Sequence, residues 1–571
     1  EYDLVEEVEI INQAACEIAR EAAADFESRS EGYAFIAGVL GPTNRALSFS
    51  TKVEDPAYRQ SEFSEFLAMY RQQAKALLTG GVDLLLIETV FDTLVAKSAV
   101  IACLQEMESQ QRTIPLMVSV TFSDQSRRTL SGQTLKAFVA SLSAFPLFSL
   151  GLNCSTGPEQ MIPLLQELSA ICPFYVSAHP NAGFPDKDGE YTLTEQEMAA
   201  QLLPLLQEGA LNILGGCCGT TPLHIQALKK ASTEASVRVT GEVGQDLLLS
   251  GLDFCTRKKD TLLIVGERTN VAGSRKFARL IKQEKWEEAL QIARSQVQEG
   301  AQLLDVCMDA SMLDAKKSMV QFLRHLGSDP SVAKVPLMID SSDWSVIEAA
   351  LCEVQGRGIV NSISLKEGEA IFVARAKKIA CHGHAMVVML FDEEGQAATY
   401  ERKISIAKRS YALLNEAGIK DQDIIFDANV LSIATGIEEH DTYARDFIQA
   451  TKTLKQLFPL CHTSAGVSNL SFSFRGNDAF RSAMHAVFLE LSNLDMAIIN
   501  PASLLDPSVL ETEVKATIIA ALLAQEEDLS IVRSRLIALA IEMQPQQEDE
   551  KPKVAASQKS PSERLYDAVL N

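Results

Sequence analysis

The sequence predicts an α/β protein made of two (β/α)8 barrels in tandem, the first lacking its opening strands. Three observations carry that expectation. A helix ending at a glycine, then a short apolar strand, then a polar turn recurs along the chain. Eight such strands run from about residue 262 to 502, and six comparable ones precede them. Strands alternating with helices make a parallel sheet. Eight βα units in roughly 250 residues is the size of a TIM-type barrel.

Taken in order, the first part reads as the strands "YAFIAGVLGPTN", "DLLLIETVF", "PLMVSVTFSD", "LFSLGLNCS", "FYVSAHPNAG" and "LNILGGCCGTT". The copy "RQQAKALLTGGVDLLLIETVFDT" (71–93) shows the grammar: an amphipathic helix, a glycine suited to a left-handed cap, a strand apolar on both faces. Six strands are two short of a barrel. Residues 1–232 are therefore assigned to an N-terminally incomplete first barrel. Composition changes over 233–260, the expected interdomain linker. The second barrel, 261–543, is read from "LLIVGERTN", "LLDVCMD", "VPLMIDSS", "GIVNSIS", "AMVVMLFDE", "DIIFDAN", "LCHTSAGVSN" and "MAIINPA". No Gly-x-Gly-x-x-Gly follows a first strand, which argues against a dinucleotide-binding open sheet. Residues 544–571 form a polar, Pro-containing linker, and "RLYDAVLN" begins a helix that the chain end cuts off. The first residues, "EYDLVEEVEIINQAA", carry neither an initiator Met nor a signal-like segment, so the chain reads as cut from something longer.

Bulk properties narrow the function. The chain has 571 residues and a net charge of −23. An acidic balance without a basic stripe argues against nucleic acid and against anionic membranes as partners. No apolar run reaches the roughly 20 residues needed to span a bilayer. The 11 cysteines are an odd count at low density, which fits a reducing cytoplasm better than a disulfide framework.

Chemistry concentrates at strand ends. Cys217 and Cys218 end one strand in "GGCCGTTP", and Cys154 ends another in "GLNCSTGPEQ". In one parallel barrel those ends share a face, so three thiols can converge. Three thiolates suit tetrahedral zinc with one position open, where a substrate thiol could bind and be held as a nucleophile. Core packing and a vicinal disulfide remain open as alternatives. Cys16, Cys103, Cys172, Cys255, Cys307, Cys352, Cys381 and Cys461 read as small hydrophobes.

"GLNCSTGP", "SAHPNAG" and "GGCCGTTPLHI" closely resemble the homocysteine-binding module of the cobalamin-dependent methionine synthase family, and "GVLGPTNR" (38–45) matches too. The resemblance implies a zinc site of Cys154, Cys217 and Cys218, and homocysteine contacts from Glu88 in "IETVFDT" and Asn181 in "HPNAG". The family's opening units are not in this chain.

The second barrel ends its strands in Glu267 and Asn270, Asp309, Asp340, Asn361, Asp392, Asp427, Asn469 and Asn500. Such groups can recognise a planar ring of alternating donors and acceptors, or simply cap the following helices. "VGERTNVAGSRKF", "MIDSSDWSVIE", "GIVNSISLKEG", "IIFDANVL" and "GVSNLSFSFRGND" resemble the same family's methyltetrahydrofolate-binding, pterin-binding-type barrel. That resemblance implies Asp340, Asn361 and Asp427 at the pterin ring and Asn469 beside the methyl-bearing N5, with Asp427 and Asn469 as the catalytic pair. Glu267, Asn270 and Arg475 lie in matching motifs. One departure is Asp427-Ala428-Asn429, where the family often has Asp-Pro-Asn. His382 and His384 in "CHGHAM" read as a helix–strand junction.

The activity so implied is a methyltransferase of methionine synthesis. Zinc-activated homocysteine thiolate takes a methyl from methylcobalamin, and cob(I)alamin is remethylated by 5-methyltetrahydrofolate. Cobalamin would sit on a cobalamin-binding domain of the same protein, beyond this chain. Two other readings stay open from the residues alone: another zinc thiol methyltransferase, and a non-catalytic folate- or metal-binding module.

Overall fold

The computed structural model describes residues 4–122, 126–241, 246–258, 261–525 and 528–544. The expected helix at "RLYDAVLN" and nearly all of the terminal linker lie outside them. The N-terminal unit is a six-stranded sheet in chain order: β1 (Ala37–Leu40), β2 (Leu84–Val90), β3 (Leu116–Val120), β4 (Ser149–Asn153), β5 (Tyr175–His179) and β6 (Ile213–Leu214). Every neighbouring pair is parallel. β3 and β4 are buried along their whole length, as strands covered on both faces must be. β6 is only two residues long, although Gly215 N–H beyond it still donates to Ala178 O of β5 at 3.0 Å. Cys217 and Cys218 thus stand in the turn beyond the strand rather than on it.

The segment 233–260 is more than a tether. It carries an antiparallel hairpin, β7 (Leu248–Ser250) and β8 (Phe254–Thr256). Leu247 and Leu249 pack among the barrel-start residues Leu263, Leu303, Met338 and Ile359, and so plug the floor of the second barrel.

That barrel is closed. Its strands are β9 (Leu263–Asn270), β10 (Leu303–Cys307), β11 (Leu337–Asp340), β12 (Ile359–Ile363) and β13 (Ala385–Met389). After a small hairpin of β14 (Phe391–Asp392) and β15 (Gly395–Gln396) come β16 (Ile424–Asp427), β17 (His462–Gly466) and β18 (Met496–Ile499). β18 returns to pair with β9, Met496 opposite Leu263. The eight barrel strands are the eight expected from the sequence. Two further helices, Thr512–Leu522 and Leu529–Glu542, pack on the outside through Ile518, Leu522 and Leu536. Among the described residues no helix is long and apolar enough to cross a membrane.

The hairpin also joins the two units. Ser250 N–H donates to Arg357 O at 2.9 Å, and Leu252 N–H to Ala333 O at 2.8 Å. On the other side Thr134 N–H donates to Leu252 O at 3.0 Å, and Gln133 Nε2 to Gly251 O at 2.7 Å. Gly356 lets the chains approach, since a Cβ there would fall 2.0 Å from Ser250 O. Buried cations complete the seam. Arg357 bonds Ser143 Oγ across the seam at 2.9 Å and pairs with Asp423. Lys97, 2% exposed, donates from the first unit to Gly356 O at 2.5 Å.

Lys97 makes the seam pH-sensitive. Burial holds its amine down to about 7, against an ordinary value of 10.5, and Arg357 adds to the effect. Between those values the unfolded chain binds more protons than the folded one, so the stability Lys97 contributes rises as pH climbs from about 7 to 10. In urea titrations the wild-type chain should gain on Lys97→Met by on the order of 1–3 kcal/mol across that window. A difference that stays flat or shrinks contradicts the buried amine.

Candidate active sites

The three thiols named from the sequence do meet. Cys154 directly follows β4, and its backbone is left-handed, with φ of 61°. Its N–H donates to His179 O at 3.1 Å, while Cys217 N–H donates to Pro180 O at 2.9 Å. These bonds tie the turns after β4 and β6 to the end of β5 between them. The Cys154 and Cys218 sulfurs are 3.6 Å apart, those of Cys217 and Cys218 4.0 Å, and all three lie within 4.8 Å of one another. A tetrahedral ion with metal–sulfur bonds of about 2.3 Å needs sulfurs roughly 3.8 Å apart. The donor set therefore fits zinc, with a fourth position left over. Burial and the two neighbouring thiols push the Cys217 thiol up to about 12. Without a cation the Cys217 thiol stays protonated, and a divalent ion removes that cost.

Asn181 and Glu88 occupy different kinds of place. Asn181 is 3% exposed, and its Oδ1 accepts from Cys218 N–H at 3.1 Å, so it braces the cysteine turn from beneath. Glu88 is near the end of β2, where burial raises its carboxyl above the usual range. The next residue, Thr89, donates its N–H to Asn153 Oδ1 at 2.9 Å, tying Glu88 to the residue before Cys154. The crevice at Glu88 holds about 10 Å³, scarcely one water. A nearby buried carboxylate, Asp92, is taken up structurally, accepting from Leu47 N, Ser48 N and Ser48 Oγ.

The second barrel opens at its strand ends into a cavity of about 800 Å³. All seven residues nominated there line it: Glu267, Asn270, Asp340, Asn361, Asp427, Asn469 and Arg475. The floor is acidic. Asn270 Nδ2 donates to Asp340 Oδ2 at 3.2 Å and also to Asp305 Oδ2 at 3.1 Å. Asp305 was not singled out from the sequence, because it stands inside the apolar run of β10; a carboxylate in mid-strand was the available signal. Asn361 lies against the same carboxylate and partly offsets the cost of burying it. Burial, then the neighbouring Asp340, raises the Asp305 carboxyl well above its ordinary range. Burial and Asp309 raise Asp340 to about 7. Asp427 is raised to about 6 by burial, although Asn429 N–H donates to it at 2.7 Å. Lys403 Nζ holds the loop after β16 by donating to Ala428 O at 2.5 Å.

Other strand-end residues turn out to be structural. Asp309 is consumed by Ser341 Oγ and Ser342 N in the turn after β11, and Asp392 pairs with Arg402. The cavity rim is cationic and exposed, with Arg275, Lys276 and Arg475, the last lying over the Phe472 ring at 3.9 Å. Asn469 is exposed on the 3-10 turn after β17. An acceptor-rich buried floor matches the N–H edge of a planar heterocycle, and the rim matches carboxylates.

Two family models match this chain. Residues 1–232 match the homocysteine S-methyltransferase family, and residues 266–499 match the pterin binding enzyme family. Among solved structures, the apo homocysteine methyltransferase MmuM of Escherichia coli is 27% identical over 39% of this chain and 73% of its own, with a TM-score of 0.31. Its metallated form is 28% identical over 39% of this chain and 70% of its own, also with a TM-score of 0.31. The dihydropteroate synthase of Stenotrophomonas maltophilia is 16% identical over 47% of this chain and 96% of its own, with a TM-score of 0.33.

The acidic floor should cost stability at neutral pH. Both Asp305 and Asp340 have folded values above the ordinary 3.8, so the folded chain holds protons the unfolded chain has lost. Their penalty is absent below about pH 4 and grows as pH rises. Asp305→Asn should therefore stabilise the second barrel at pH 7 by about 1–2 kcal/mol, with the gain fading toward pH 4. Urea midpoints at the two pH values read the effect; a loss of stability at pH 7 would contradict it.

Proposed function

We propose, from the union of a homocysteine S-methyltransferase domain and a pterin-binding domain in one chain, that this protein is the substrate-binding part of a cobalamin-dependent methionine synthase. The observation that carries the reading is the thiol triad at tetrahedral spacing, in the same chain as an acid-floored, heterocycle-sized cavity. In this reading Cys154, Cys217 and Cys218 hold zinc. Bound there, zinc supplies the positive charge that keeps a substrate thiol deprotonated at neutral pH. Asn181 fixes the Cys218 backbone so that the sulfurs keep one face, and Glu88 takes the amino group of homocysteine. Domain limits at 1–232 and 261–543, joined by the plugging hairpin, belong to the same proposal.

On the other side, Asp340, Asn361 and Asp427 accept from the pterin ring of 5-methyltetrahydrofolate, with Asn270 and Glu267 around them. Arg475 at the rim suits the carboxylate tail. Methyl departure from N5 leaves a poor amine leaving group unless N5 gains a proton. Asn469 orients a hydrogen bond there but is not an acid. Asp427 and the Asp305–Asp340 pair keep protons in the cavity up to near-neutral pH, which is where such a proton is drawn from. Cobalamin belongs to a domain outside these residues, and neither cavity is assigned to it. Cytoplasmic location completes the reading, in keeping with 11 free cysteines, five of them buried.

Two substitutions separate the two sites. Cys217→Ala should lose the one zinc per chain while 5-methyltetrahydrofolate binding is retained. Asp427→Asn should weaken folate binding by about ten- to a hundredfold and leave zinc unchanged. Metal analysis and fluorescence titration read both. Loss of zinc in Asp427→Asn, or no zinc in the wild-type chain, would sink the proposal.

A further inference from the structure

The turn after β17 is held by more than its own backbone. Val467–Phe474 is a run of eight residues in 3-10 geometry, broken at Ser471, whose φ of −103° and ψ of 24° are not helical. Runs of 3-10 helix longer than about four residues are uncommon, so a kink is expected and its angle has to be fixed by something outside the run. Asn469 is exposed on the cavity side, two residues before that kink. Its amide Nδ2 rests over Gly466, 3.3 Å from where a Cβ would stand there. Its carbonyl accepts from Ser432 Oγ at 2.7 Å, which braces the turn from the β16 side.

The following helix, Asp478–Ser492, grips the kink itself. Ser471 is fully buried. Arg481 Nε–H donates to Ser471 Oγ at 2.9 Å, and the same oxygen lies 2.8 Å from His485 Nε2. Residues 481 and 485 are one turn apart, so a single helix face presents both. Burial and the neighbouring Arg481 hold the His485 imidazole down at about 4, so it carries no charge at neutral pH and can accept the serine proton. Arg481 Nη2 also reaches Ser468 O at 3.5 Å, and Ser468 Oγ donates to Glu267 Oε1 at 2.9 Å. Ser468, Asn469 and Arg481 line the cavity, whereas His485, 4% exposed, stands behind its wall.

We propose that His485 is a positioning residue for methyl transfer: through Ser471 it fixes the kink that holds Asn469 over the cavity, with Arg481 as the second holder. This rests on the reading of the cavity as a 5-methyltetrahydrofolate site. The acid floor stands on other strands, with Asp340 on β11, Asn361 on β12 and Asp427 on β16. A loosened kink therefore lets Asn469 wander while the floor still holds the pterin. Binding and transfer come apart, which a loss of general packing would not produce.

The test uses His485→Leu, His485→Gln and Ser471→Ala. Fluorescence titration reads the Kd of 5-methyltetrahydrofolate. Transfer is followed with prereduced cob(I)alamin added in solution, where the cobalt(I) electron pair forms the bond to the methyl carbon while the carbon–N5 pair stays on nitrogen and takes up a proton. His485→Leu and Ser471→Ala should each slow transfer at saturating folate by about ten- to thirtyfold, with Kd changed by less than about threefold. His485→Gln, which again offers Ser471 a partner, should recover most of the rate. The double variant of His485→Leu with Ser471→Ala should be no slower than either single one. Wild-type rates in the single variants overturn the proposal. So do a Kd that rises in step with the lost rate, a glutamine variant as slow as the leucine one, and losses that add in the double variant. If His485→Leu does not fold, Ser471→Ala, which removes one oxygen, decides alone. A wild-type chain that fails to bind 5-methyltetrahydrofolate, or binds it and transfers no methyl, overturns the cavity reading and this proposal together.

Discussion

Strand direction is the constraint from which the rest of this protein follows. All six strands of the first sheet and all eight of the barrel run parallel to their neighbours. Parallel strands need a crossover helix between them, so each strand's C-terminal end opens into a turn on one common face. The strands themselves are apolar and buried, leaving chemistry to the first few residues of each turn. Cys154 follows β4, Cys217 and Cys218 follow β6, Asp340 and Asp427 close β11 and β16, and Asn469 follows β17. Residues far apart in sequence become neighbours because the sheet repeats one direction.

That regularity explains what could be read in advance. Periodicity showed the strands, and strand-end position showed the thiols and the residues of the second cavity. Where reading failed, local pattern was silent about long-range contact. Asp305 lies inside a strand and matters only because Asn270 links it to Asp340. The hairpin at 248–256 has no marked sequence signal, yet its neighbouring Leu247 and Leu249 plug the barrel floor. Asp309 and Asp392 had the right residue type and position, but one holds a turn and the other an arginine.

Burial of charge divides the molecule by sign. The second cavity buries carboxylates that hold protons above their usual range, a cost tolerated where a ligand with N–H groups can satisfy them. The seam between the units buries cations instead, satisfied by carbonyls and by Asp423. The hairpin plugs the barrel floor on the seam side, so the acid cavity faces away from the first unit.

Lys97 has a wider consequence. Its amine is anchored on one unit and its acceptor on the other, both out of reach of water. Melting either unit alone would break this hydrogen bond and the hairpin's bonds to that unit, and would expose the apolar surface the seam covers. The two units are therefore coupled in stability across the seam. A destabilising change in one barrel is felt in the other, and tolerance to substitution is shared across both.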